Sequence, residues 1–341
     1  MVQAYKTDTG TGDPGNRITG SRAGRLLERW RGDRDIWRRG LLIAGCAVLI
    51  ALVMIFHAQI PNRFGNLGSL GETFLPWLGV IAIPPLFAAA LWRRSATALI
   101  ALLLPLVVWL NLFGGLLTDK AGGGGDLMVA THNVNAENPD PAGTAKEVAA
   151  SGADVLALQE LAQGEVATYR AALADTYKYH AVLGTVGLWS KYPMTDTAPV
   201  AIRLGWTRAM RSTVQTPKGE VAVYVAHMPS VRVKMHAGFT ANQRDDSADA
   251  LGEAIAREGV GKVVLLGDLN GTMNDRALNA ITSQMRSTQG AAGNGFGFSW
   301  PASFPMARID QILVRGVEPV SSWSLPRTDS DHLPLAARVE L

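Results

Sequence analysis

Asp268 and Asn270 follow a short apolar segment and carry side chains that could orient a water molecule and bind a phosphate. Residues 264–266 are apolar β-strand formers, and Gly267 ends the run. Side chains two positions apart on an extended segment point the same way, so we expect both to project beyond the strand end. Because Asp and Asn are also common in tight turns and helix caps, this pair alone does not establish a site.

Further polar residues follow or interrupt apolar segments in the C-terminal two-thirds of the chain. They are carboxamide, carboxylate and imidazole side chains, namely Asn133, Glu160, His227, Asp310, Asp331 and His332. Each could be structural, because strand-end carboxylates are commonly solvated and a lone His commonly satisfies a local hydrogen bond. Six segments with such endings in one domain favour a shared site.

Hydroxyl and guanidinium groups nearby could bind a phosphate. The loop after His227 contains Ser230 and Arg232, although a solvated loop is equally compatible with this sequence. Further phosphate-binding candidates are Arg208, Arg211 and Arg244.

The order of these motifs resembles the endonuclease/exonuclease/phosphatase superfamily, the metal-dependent phosphoesterases that include DNase I-like nucleases, sphingomyelinases and inositol-phosphate phosphatases. The resemblance covers about residues 126–341 and rests on the combination of Asn, Gln-Glu, His, Gly-Asp-x-Asn, Asp and Ser-Asp-His. It implies an α/β fold, a four-layer α/β sandwich of two packed mixed sheets flanked by helices.

Three positions match the metal site of that family. Glu160 resembles the principal Mg²⁺ ligand, and Asp331 and Asn133 complete or support the site. Mg²⁺ prefers oxygen ligands and usually binds one or two protein carboxylates together with water and substrate oxygen. Since this set contains carboxylates and no Cys, it suits Mg²⁺ or Mn²⁺ better than Zn²⁺.

Five positions match the catalytic and phosphate-binding residues of the family. Asp268 resembles the residue that positions or deprotonates the attacking water. Asn270 and His227 resemble the phosphate-binding pair. His332 resembles the imidazole that faces the scissile phosphate, and Asp310 the carboxylate that orients it. A buried carboxylate would hold that imidazole in one tautomer and favour its cationic form.

Hydrophobic periodicity places secondary structure throughout the C-terminal region. Strands are predicted near residues 127–134, 154–159, 179–183, 186–190, 208–215, 220–227, 262–267, 308–315 and 335–340. Helices are predicted near residues 142–151, 163–174, 240–258 and 275–283.

The first third of the chain is far more apolar than the rest. We predict transmembrane helices at about residues 40–60, 73–92 and 96–117, since about 20 apolar residues cross a bilayer. For the first of these, a buried core helix is the alternative. Prolines within these segments could kink the helices, which membrane packing tolerates.

Basic residues indicate the orientation of these helices. Residues 1–39, predicted to be a mostly disordered cytoplasmic tail, contain nine Lys and Arg, and Arg93 and Arg94 lie between the second and third helices. The loop between the first and second helices contains a single Lys or Arg residue, Arg63. By the positive-inside rule, we expect a multi-pass cell membrane protein with a cytoplasmic N-terminus and an extracellular C-terminal domain.

Charge and cysteine content narrow the function classes. The chain carries a net charge of +3, but residues 121–341 contain 19 Lys and Arg against 22 Asp and Glu. We therefore expect no nucleic-acid partner, because such enzymes usually carry a basic surface on the binding domain. The only cysteine, Cys46, lies in the first apolar segment, so an intrachain disulfide is excluded.

A Gly-rich linker at residues 118–126 precedes the predicted catalytic domain, residues 127–341. We expect a flexible tether that keeps the domain near the membrane. Phe296, Phe298 and Trp300 lie among small residues before Asp310, where they could cap the core, which we favour, or contact a lipid chain.

The whole layout, a basic tail followed by three apolar segments and this domain, resembles the VanJ-type teicoplanin-resistance proteins of actinomycetes. That resemblance implies a contribution to tolerance of glycopeptides. The sequence thus favours a membrane-anchored Mg²⁺-dependent phosphoesterase with the lipid bilayer and a phosphorylated lipid or cell-envelope substrate as partners. Two alternatives are an extracellular nuclease and a receptor that binds phosphorylated lipid without hydrolysing it.

Overall fold

A computed structural model describes residues 34–62, 67–230 and 238–341, without the side chains of residues 34 and 238–242. Most of the predicted cytoplasmic tail and the phosphate-binding candidate Arg232 lie outside the described residues.

Three N-terminal helices are long and apolar enough to cross a membrane. These apolar helices one, two and three run over Asp35–Ile55, Leu75–Trp92 and Ala96–Leu116. In the most apolar 18-residue stretch of each helix, only 22%, 22% and 17%, respectively, is buried inside the protein, so most of each helix surface faces outward. Helix three is interrupted at Leu102, because Pro105 has no N–H to bond the carbonyl of Ala101.

The helical elements of this region are given by their bounds. They are α1 Leu41–Ile55, α2 Leu67–Thr73, α3 Leu75–Trp92, α4 Ala96–Ala101 and α5 Leu103–Phe113.

Twelve strands follow in the described residues and form two six-stranded mixed sheets. Sheet A has the order β11-β12-β1-β2-β4-β3, and sheet B has the order β5-β6-β7-β8-β10-β9. The strands are β1 Leu127–Asn133, β2 Val155–Gln159, β3 Tyr179–Leu183, β4 Val186–Ser190, β5 Met194–Pro199, β6 Ala209–Thr216, β7 Gly219–His227, β8 Val263–Asp268, β9 Arg286–Ser287, β10 Asp310–Arg315, β11 Glu318–Ser324 and β12 Leu335–Glu340.

Helices cover the outer faces of both sheets. They are α6 Pro141–Ala149, α7 Val166–Leu173, α8 Gly238–Ala256, α9 Asn279–Thr282 and α10 Thr288–Ala292. Strands buried on both faces need apolar side chains in both directions, which explains the continuous Val and Leu runs of β7 and β8.

Three clusters of buried apolar residues define the layers. The central cluster joins the facing sides of the two sheets, with Val129 and Leu188 from sheet A and Val223 and Leu266 from sheet B. A second cluster packs α8 on the outer face of sheet B, and a third packs α6 and α7 on the outer face of sheet A. The predicted four-layer α/β sandwich is confirmed.

The aromatic segment before β10 contacts the apolar helices, where we had expected a cap on the core. Phe296 and Phe298 stack with ring centroids 5.0 Å apart. Phe298 also stacks on Trp77 at 5.8 Å, and Phe296 lies 6.1 Å from the ring of Phe113. The Trp77 indole N–H donates to the Met306 carbonyl at 2.7 Å. These contacts attach the sandwich to helices two and three.

The Gly-rich segment is bonded to the domain and differs from the expected free tether. The backbone N–H of Lys120 donates to the Gly293 carbonyl at 3.3 Å, and that of Gly122 to Val320 at 2.7 Å. Asp126 N–H donates to the Val339 carbonyl at 2.8 Å. These backbone hydrogen bonds therefore attach the Gly-rich segment to the domain.

Arg211, one of the arginines considered for phosphate binding, belongs instead to a structural ion pair. Its Nε and Nη2 donate to Glu258 at 2.9 and 3.1 Å, and the Tyr224 hydroxyl donates to the same carboxylate at 2.9 Å. Burial alone would raise the pKa of Glu258, but the hydrogen bonds from Arg211, the Val260 N–H and Tyr224 lower it to about 2.

Glu258→Gln is expected to lower the free energy of unfolding by about 3 kcal/mol at neutral pH, because a partly desolvated charge pair loses one partner. The depressed pKa makes this contribution complete above about pH 4.5 and lost as the pH falls toward 2. Thermal unfolding of the full chain in detergent measures the change. Glu253→Gln is the matched control, since its pairs with Arg203 and Arg257 are exposed and the loss should stay below about 0.5 kcal/mol.

Candidate catalytic site

The polar residues singled out in the sequence meet where strands of both sheets end or begin. Parallel β1 and β2 pair Asn133 with Gln159, the residue before Glu160. Parallel β7 and β8 pair His227 with Asp268, and antiparallel β10 pairs its first residue, Asp310, with Asp268. Parallel neighbours deliver their carboxyl ends to one edge, so the two sheets place these groups together.

Asn133 links the two sheets through its side-chain amide. Its Nδ2 donates to Glu160 Oε1 at 3.1 Å and to Asp268 Oδ2 at 3.0 Å. Its Oδ1 accepts from the Asn135 N–H at 3.0 Å. Asn133 therefore holds the two carboxylates close together, which agrees with a supporting role at a metal site.

Glu160 adopts a left-handed backbone conformation with φ of 60°, which is uncommon for a residue with a side chain. Strain of this kind persists where the surrounding structure determines it, and it is frequent at functional sites. Glu160 Oε2 accepts from the Ala136 N–H at 3.2 Å, and 31% of its side chain is exposed. The carboxylate is thus oriented and still reachable from solvent.

His332 and Asp310 form a buried imidazole–carboxylate pair. His332 Nδ1 lies 2.8 Å from Asp310 Oδ2, which also accepts from the Ser299 hydroxyl at 2.6 Å. Burial alone would lower the pKa of His332, but Asp310 raises it to about 10, and Asp268 adds to that effect. Burial opposes ionisation of Asp310 as well, yet the His332 charge and its hydrogen bond lower the pKa of that carboxyl. The pair is therefore ionic at neutral pH.

The loop carrying His332 is attached to the end of β1. The Ser330 hydroxyl donates to the Asn133 carbonyl at 2.7 Å, and the His332 N–H donates to Ser330 Oγ at 3.1 Å. Ser330 thereby sets the position of the imidazole relative to the Asn133 amide.

Asp268 lies at the centre of the site and is 1% exposed. Its Oδ2 lies 3.9 Å from His332 Nε2 and 3.8 Å from His227 Nε2. Burial and the neighbouring Asp310 charge raise the pKa of Asp268 to about 7, against the opposing effect of His332. The carboxylate is placed where it can accept a proton from a water molecule.

Asn270 reaches the same site through a turn, because β8 ends at Asp268 and strand alternation does not extend to residue 270. Its backbone is left-handed with φ of 48°, its N–H donates to Asp268 Oδ1 at 2.9 Å, and its Nδ2 donates to the Met228 carbonyl at 2.9 Å. Gly267 permits the close strand approach, since a Cβ there would lie 1.9 Å from the Ala226 carbonyl oxygen.

His227 lies beside both carboxylates and in contact with Arg208. Its Nε2 is 3.4 Å from Glu160 Oε1, and the guanidinium of Arg208 contacts its ring. Burial lowers the pKa of His227 well below its usual range, and the Arg208 charge acts in the same direction. His227 is therefore neutral. Arg208 is the arginine candidate whose guanidinium contacts a catalytic side chain of this site. Arg244 is buried against Asp275 at 2.7 Å and touches the site only at its backbone, where its Nη1 donates to the Asn270 carbonyl at 2.9 Å.

A cavity of about 380 Å³ opens over part of this site, and His227 and Arg208 are not among its lining residues. The domain residues that line it are Glu160, Ser230, Asp268, Asn270, Trp300, Ile309, Asp331 and His332. Asp331 is exposed on this cavity wall, as is Ser230. The remaining wall comes from Leu70 and Thr73 of α2 and from Phe74, the residue before apolar helix two.

A family model described as the endonuclease/exonuclease/phosphatase family matches residues 130–332. The chain belongs to the endonuclease/exonuclease/phosphatase family. A search of curated protein sequences returned no significant match.

Solved structures of the endonuclease/exonuclease/phosphatase fold align with most of this domain. A conserved protein of unknown function from Enterococcus faecalis V583 has a TM-score of 0.53 at 16% identity, covering 62% of this chain and 99% of that chain. A Bacteroides vulgatus endonuclease/exonuclease/phosphatase has 0.52 at 18%, covering 63% and 98%. A humanised D. rerio TDP2 with 14 mutations has 0.52 at 16%, covering 63% and 99%. At this identity the likeness concerns the fold.

The donor groups of this family member suit a divalent cation. Glu160, His227 and Asp268 each offer a ligand atom within 4.8 Å of the others, and Asp268, Asp310 and His332 form a second such group. Glu160 and Asp331 add carboxylate oxygens to the cavity wall. Oxygen-rich sets of this kind fit Mg²⁺ or Mn²⁺. The assignment of Asp331 as a ligand remains a prediction.

Sequence patterns missed part of the site that this family member builds. Leu70, Thr73 and Phe74 belong to the apolar region, where no motif connects them with the catalytic groups. Ser299 orients the Asp310–His332 pair from a loop, and a serine in a loop carries no distinguishing signal. Ser330 belongs to the Ser-Asp-His motif, but no role in orienting His332 was predicted for it.

Proposed function

We propose that the chain is a membrane-anchored, divalent-metal-dependent phosphoesterase that acts outside the cell on a lipid-linked or cell-envelope phosphate. The observation that carries this proposal is the composition of the catalytic cavity wall. Leu70, Thr73 and Phe74 line the cavity and directly precede Leu75, the first residue of apolar helix two. A substrate phosphate in the cavity would therefore lie at the level of the bilayer surface.

Two further observations support an external, lipid-directed role. The basic residues of the tail and of Arg93 and Arg94 favour a cytoplasmic N-terminus, which leaves the domain outside after three crossings. The aromatic contacts between Phe298 and Trp77 hold the domain against the helices, so the cavity stays close to the membrane.

Glu160 and Asp331, supported by Asn133, would hold Mg²⁺ or Mn²⁺. When bound, such an ion supplies Lewis-acid polarisation and neutralises charge on phosphate oxygens. The oxygen chemistry of this donor set and its exposure on the cavity fit that role.

Side chains of the protein itself would perform the remaining steps of hydrolysis. Water attacks phosphorus while the bond from phosphorus to the ester oxygen breaks, Asp268 accepts the proton of that water, and the departing oxygen takes a proton from solvent to leave as the alcohol. The cationic His332 stabilises the negative charge that develops on the phosphate oxygens. Asn270 uses one amide N–H on the Met228 carbonyl and has a second available for phosphate, and neutral His227 can donate another hydrogen bond.

Purified full-length chain in lipid vesicles tests the function. With Mg²⁺ or Mn²⁺ we expect release of phosphate, or cleavage of a diester, from phosphorylated lipids, and complete loss of turnover with EDTA. Digestion of DNA at a comparable rate would favour the nuclease alternative. Binding of lipid phosphate without turnover in any metal would contradict the proposal and favour a receptor.

Phe74→Ala is expected to raise KM for a long-chain lipid phosphate about five- to tenfold, because part of the apolar wall at the cavity is removed. The kcat for a short, water-soluble phosphate ester should change less than twofold. Steady-state kinetics on both substrates separates these effects. Phe87→Ala, at an exposed position on the apolar helix that begins just after Phe74, is the control and should leave both values unchanged.

A finer part of the proposal concerns glycopeptides. The VanJ-like layout supports a contribution to teicoplanin resistance through a change in envelope phosphates. Expression of the chain in a susceptible host should raise the inhibitory concentration of teicoplanin, and expression of Asp268→Asn should not.

A further inference from the structure

A second cavity of about 350 Å³ lies where the catalytic domain meets apolar helices two and three. We call it the boundary cavity. Its walls come from Thr73 at the end of α2, from Pro76 at the start of helix two, from the end of helix three, and from the loops around α10 and β10. Thr73 lines this cavity and the catalytic cavity, so the two are neighbours. A volume of this size accommodates a small ligand.

The boundary cavity has a positive lining. Lys120 and Arg308 contribute two cationic side chains, and the described lining residues include no Asp or Glu. The Lys120 ammonium donates to the carbonyls of Gly115 and Gly290, both at 2.6 Å. An anionic group would therefore meet attraction without a competing carboxylate in the wall.

Arg308 is the decisive residue because it is only 7% exposed and incompletely bonded. Its Nη1 donates to the Gly297 carbonyl at 2.8 Å and to Gln289 Oε1 at 3.3 Å. Its Nε and Nη2 have no hydrogen-bond partner among the described residues. Buried guanidinium donors without partners are costly, and two adjacent N–H groups match the oxygens of a phosphate.

The nearest carboxylate does not satisfy these donors. Asp310 lies two residues along the chain and directs Oδ2 to His332 and Ser299 on the catalytic side. Burial lowers the pKa of Arg308 to about 10, with Asp310 acting in the opposite direction, so Arg308 remains a cation at neutral pH.

The rest of the lining combines neutral polar residues, among them Asn111, Thr272 and Asn274, with a group of apolar side chains. Leu112, Phe113 and Leu116 come from the end of helix three, and Phe296 and Phe298 come from the aromatic segment. The cavity thus presents two cations beside a surface suited to a hydrocarbon chain. Among membrane components, an anionic amphiphile has this combination of chemistry.

We propose that the boundary cavity is a binding site, separate from the catalytic cavity, for the phosphate group of an anionic membrane lipid. Arg308 binds the phosphate through Nε and Nη2, and the acyl chains lie along apolar helices two and three. Gln311, whose Oε1 has no partner among the described residues, accepts a hydrogen bond from a hydroxyl of the headgroup. This inference rests on the membrane anchoring in the proposed function but not on phosphate hydrolysis.

The test is calorimetric titration of the full chain in neutral detergent with EDTA present, using dodecyl phosphate and inorganic phosphate as probes. EDTA prevents metal-dependent turnover, so failure to bind and failure to hydrolyse are observed separately. We expect dodecyl phosphate to bind at one site and inorganic phosphate to bind at least tenfold more weakly. Equal affinity for the two probes would overturn the lipid assignment and leave a soluble phosphate as ligand.

Arg308→Gln should weaken dodecyl phosphate binding about ten- to hundredfold, because two charge-assisted hydrogen bonds are lost. Arg286→Gln removes an exposed cation paired with Glu318 at 2.8 Å and should leave binding unchanged. Unaltered binding in Arg308→Gln would overturn the proposal.

Gly115→Leu gives a second readout that retains the guanidinium. No atom lies within 4 Å of a Cβ at this lining position, so a leucine can be accommodated, and its side chain should narrow the cavity and weaken binding. His332→Gln alters the catalytic cavity and should leave dodecyl phosphate binding intact. Loss of binding in His332→Gln with retention in Arg308→Gln would place the anion in the catalytic cavity and contradict the inference.

Discussion

Asp268→Asn is expected to lower kcat for phosphoester hydrolysis about 10²- to 10⁴-fold with little change in folding. Asparagine has the same shape and can keep the hydrogen bond from the Asn270 N–H, but it does not accept a proton from water. Steady-state rates with saturating metal measure the effect, and thermal unfolding confirms that the fold is retained. Asp268 Oδ2 lies within 4 Å of the Nε2 atoms of both His227 and His332, and no other described carboxylate lies that close to both imidazoles.

Asp249→Asn is the matched control, since this exposed residue of α8 lies outside the catalytic cavity lining. It should keep wild-type activity. An Asp268→Asn variant with more than one-tenth of the wild-type kcat would contradict the catalytic assignment, because another group would then have to activate the water.

His332→Ala is expected to lower kcat about 10²- to 10³-fold, because a cationic donor facing the phosphate is removed. Asp310→Asn should produce a loss of similar size through His332, since it removes the charge that favours the imidazolium and orients its ring. Asp310 is therefore a positioning residue. Steady-state rates of the two single variants and the double variant measure these effects.

The double variant His332→Ala/Asp310→Asn separates this positioning role from general destabilisation. If Asp310 acts through His332, the double variant should be no slower than His332→Ala alone, and the effects should not add. Additive losses would mean that Asp310 contributes independently, which would contradict the interpretation that Asp310 acts through His332. Thermal unfolding accompanies each measurement because both groups are buried.

The central strands could be located from the sequence, whereas most edge strands could not. Each predicted strand has a counterpart in the structure, and their apolar runs reflect burial on both faces. The strands β5, β9 and β11, which were not predicted, all lie at sheet edges. Edge strands need not be apolar and tolerate proline, as Pro199 and Pro319 illustrate, so their hydrophobic pattern is weak.

The candidate catalytic groups could be named from the sequence because most lie at or beside the end of a strand whose apolar pattern is strong, and the family resemblance gave each a role. Glu160 and Asp268 come at or just after the ends of β2 and β8, and parallel pairing in each sheet carries such ends to one edge. The Asn270 side chain was assigned to the site through strand alternation, but it reaches the cavity through a left-handed turn. Sequence spacing does not encode that turn.

The order and type of residues by themselves determined the central strands, the three apolar helices and the set of polar groups beside the strand ends. These follow from local periodicity, which depends on neighbours in the chain, whereas the sandwich was implied by the resemblance of the motif order to a known family. Only the tertiary structure decided that Asn133 bridges two carboxylates from different sheets, that Arg208 rather than Arg211 contacts the site, and that Phe74 lines the catalytic cavity. Such contacts join residues far apart in sequence, and their distances depend on how the sheets and helices pack.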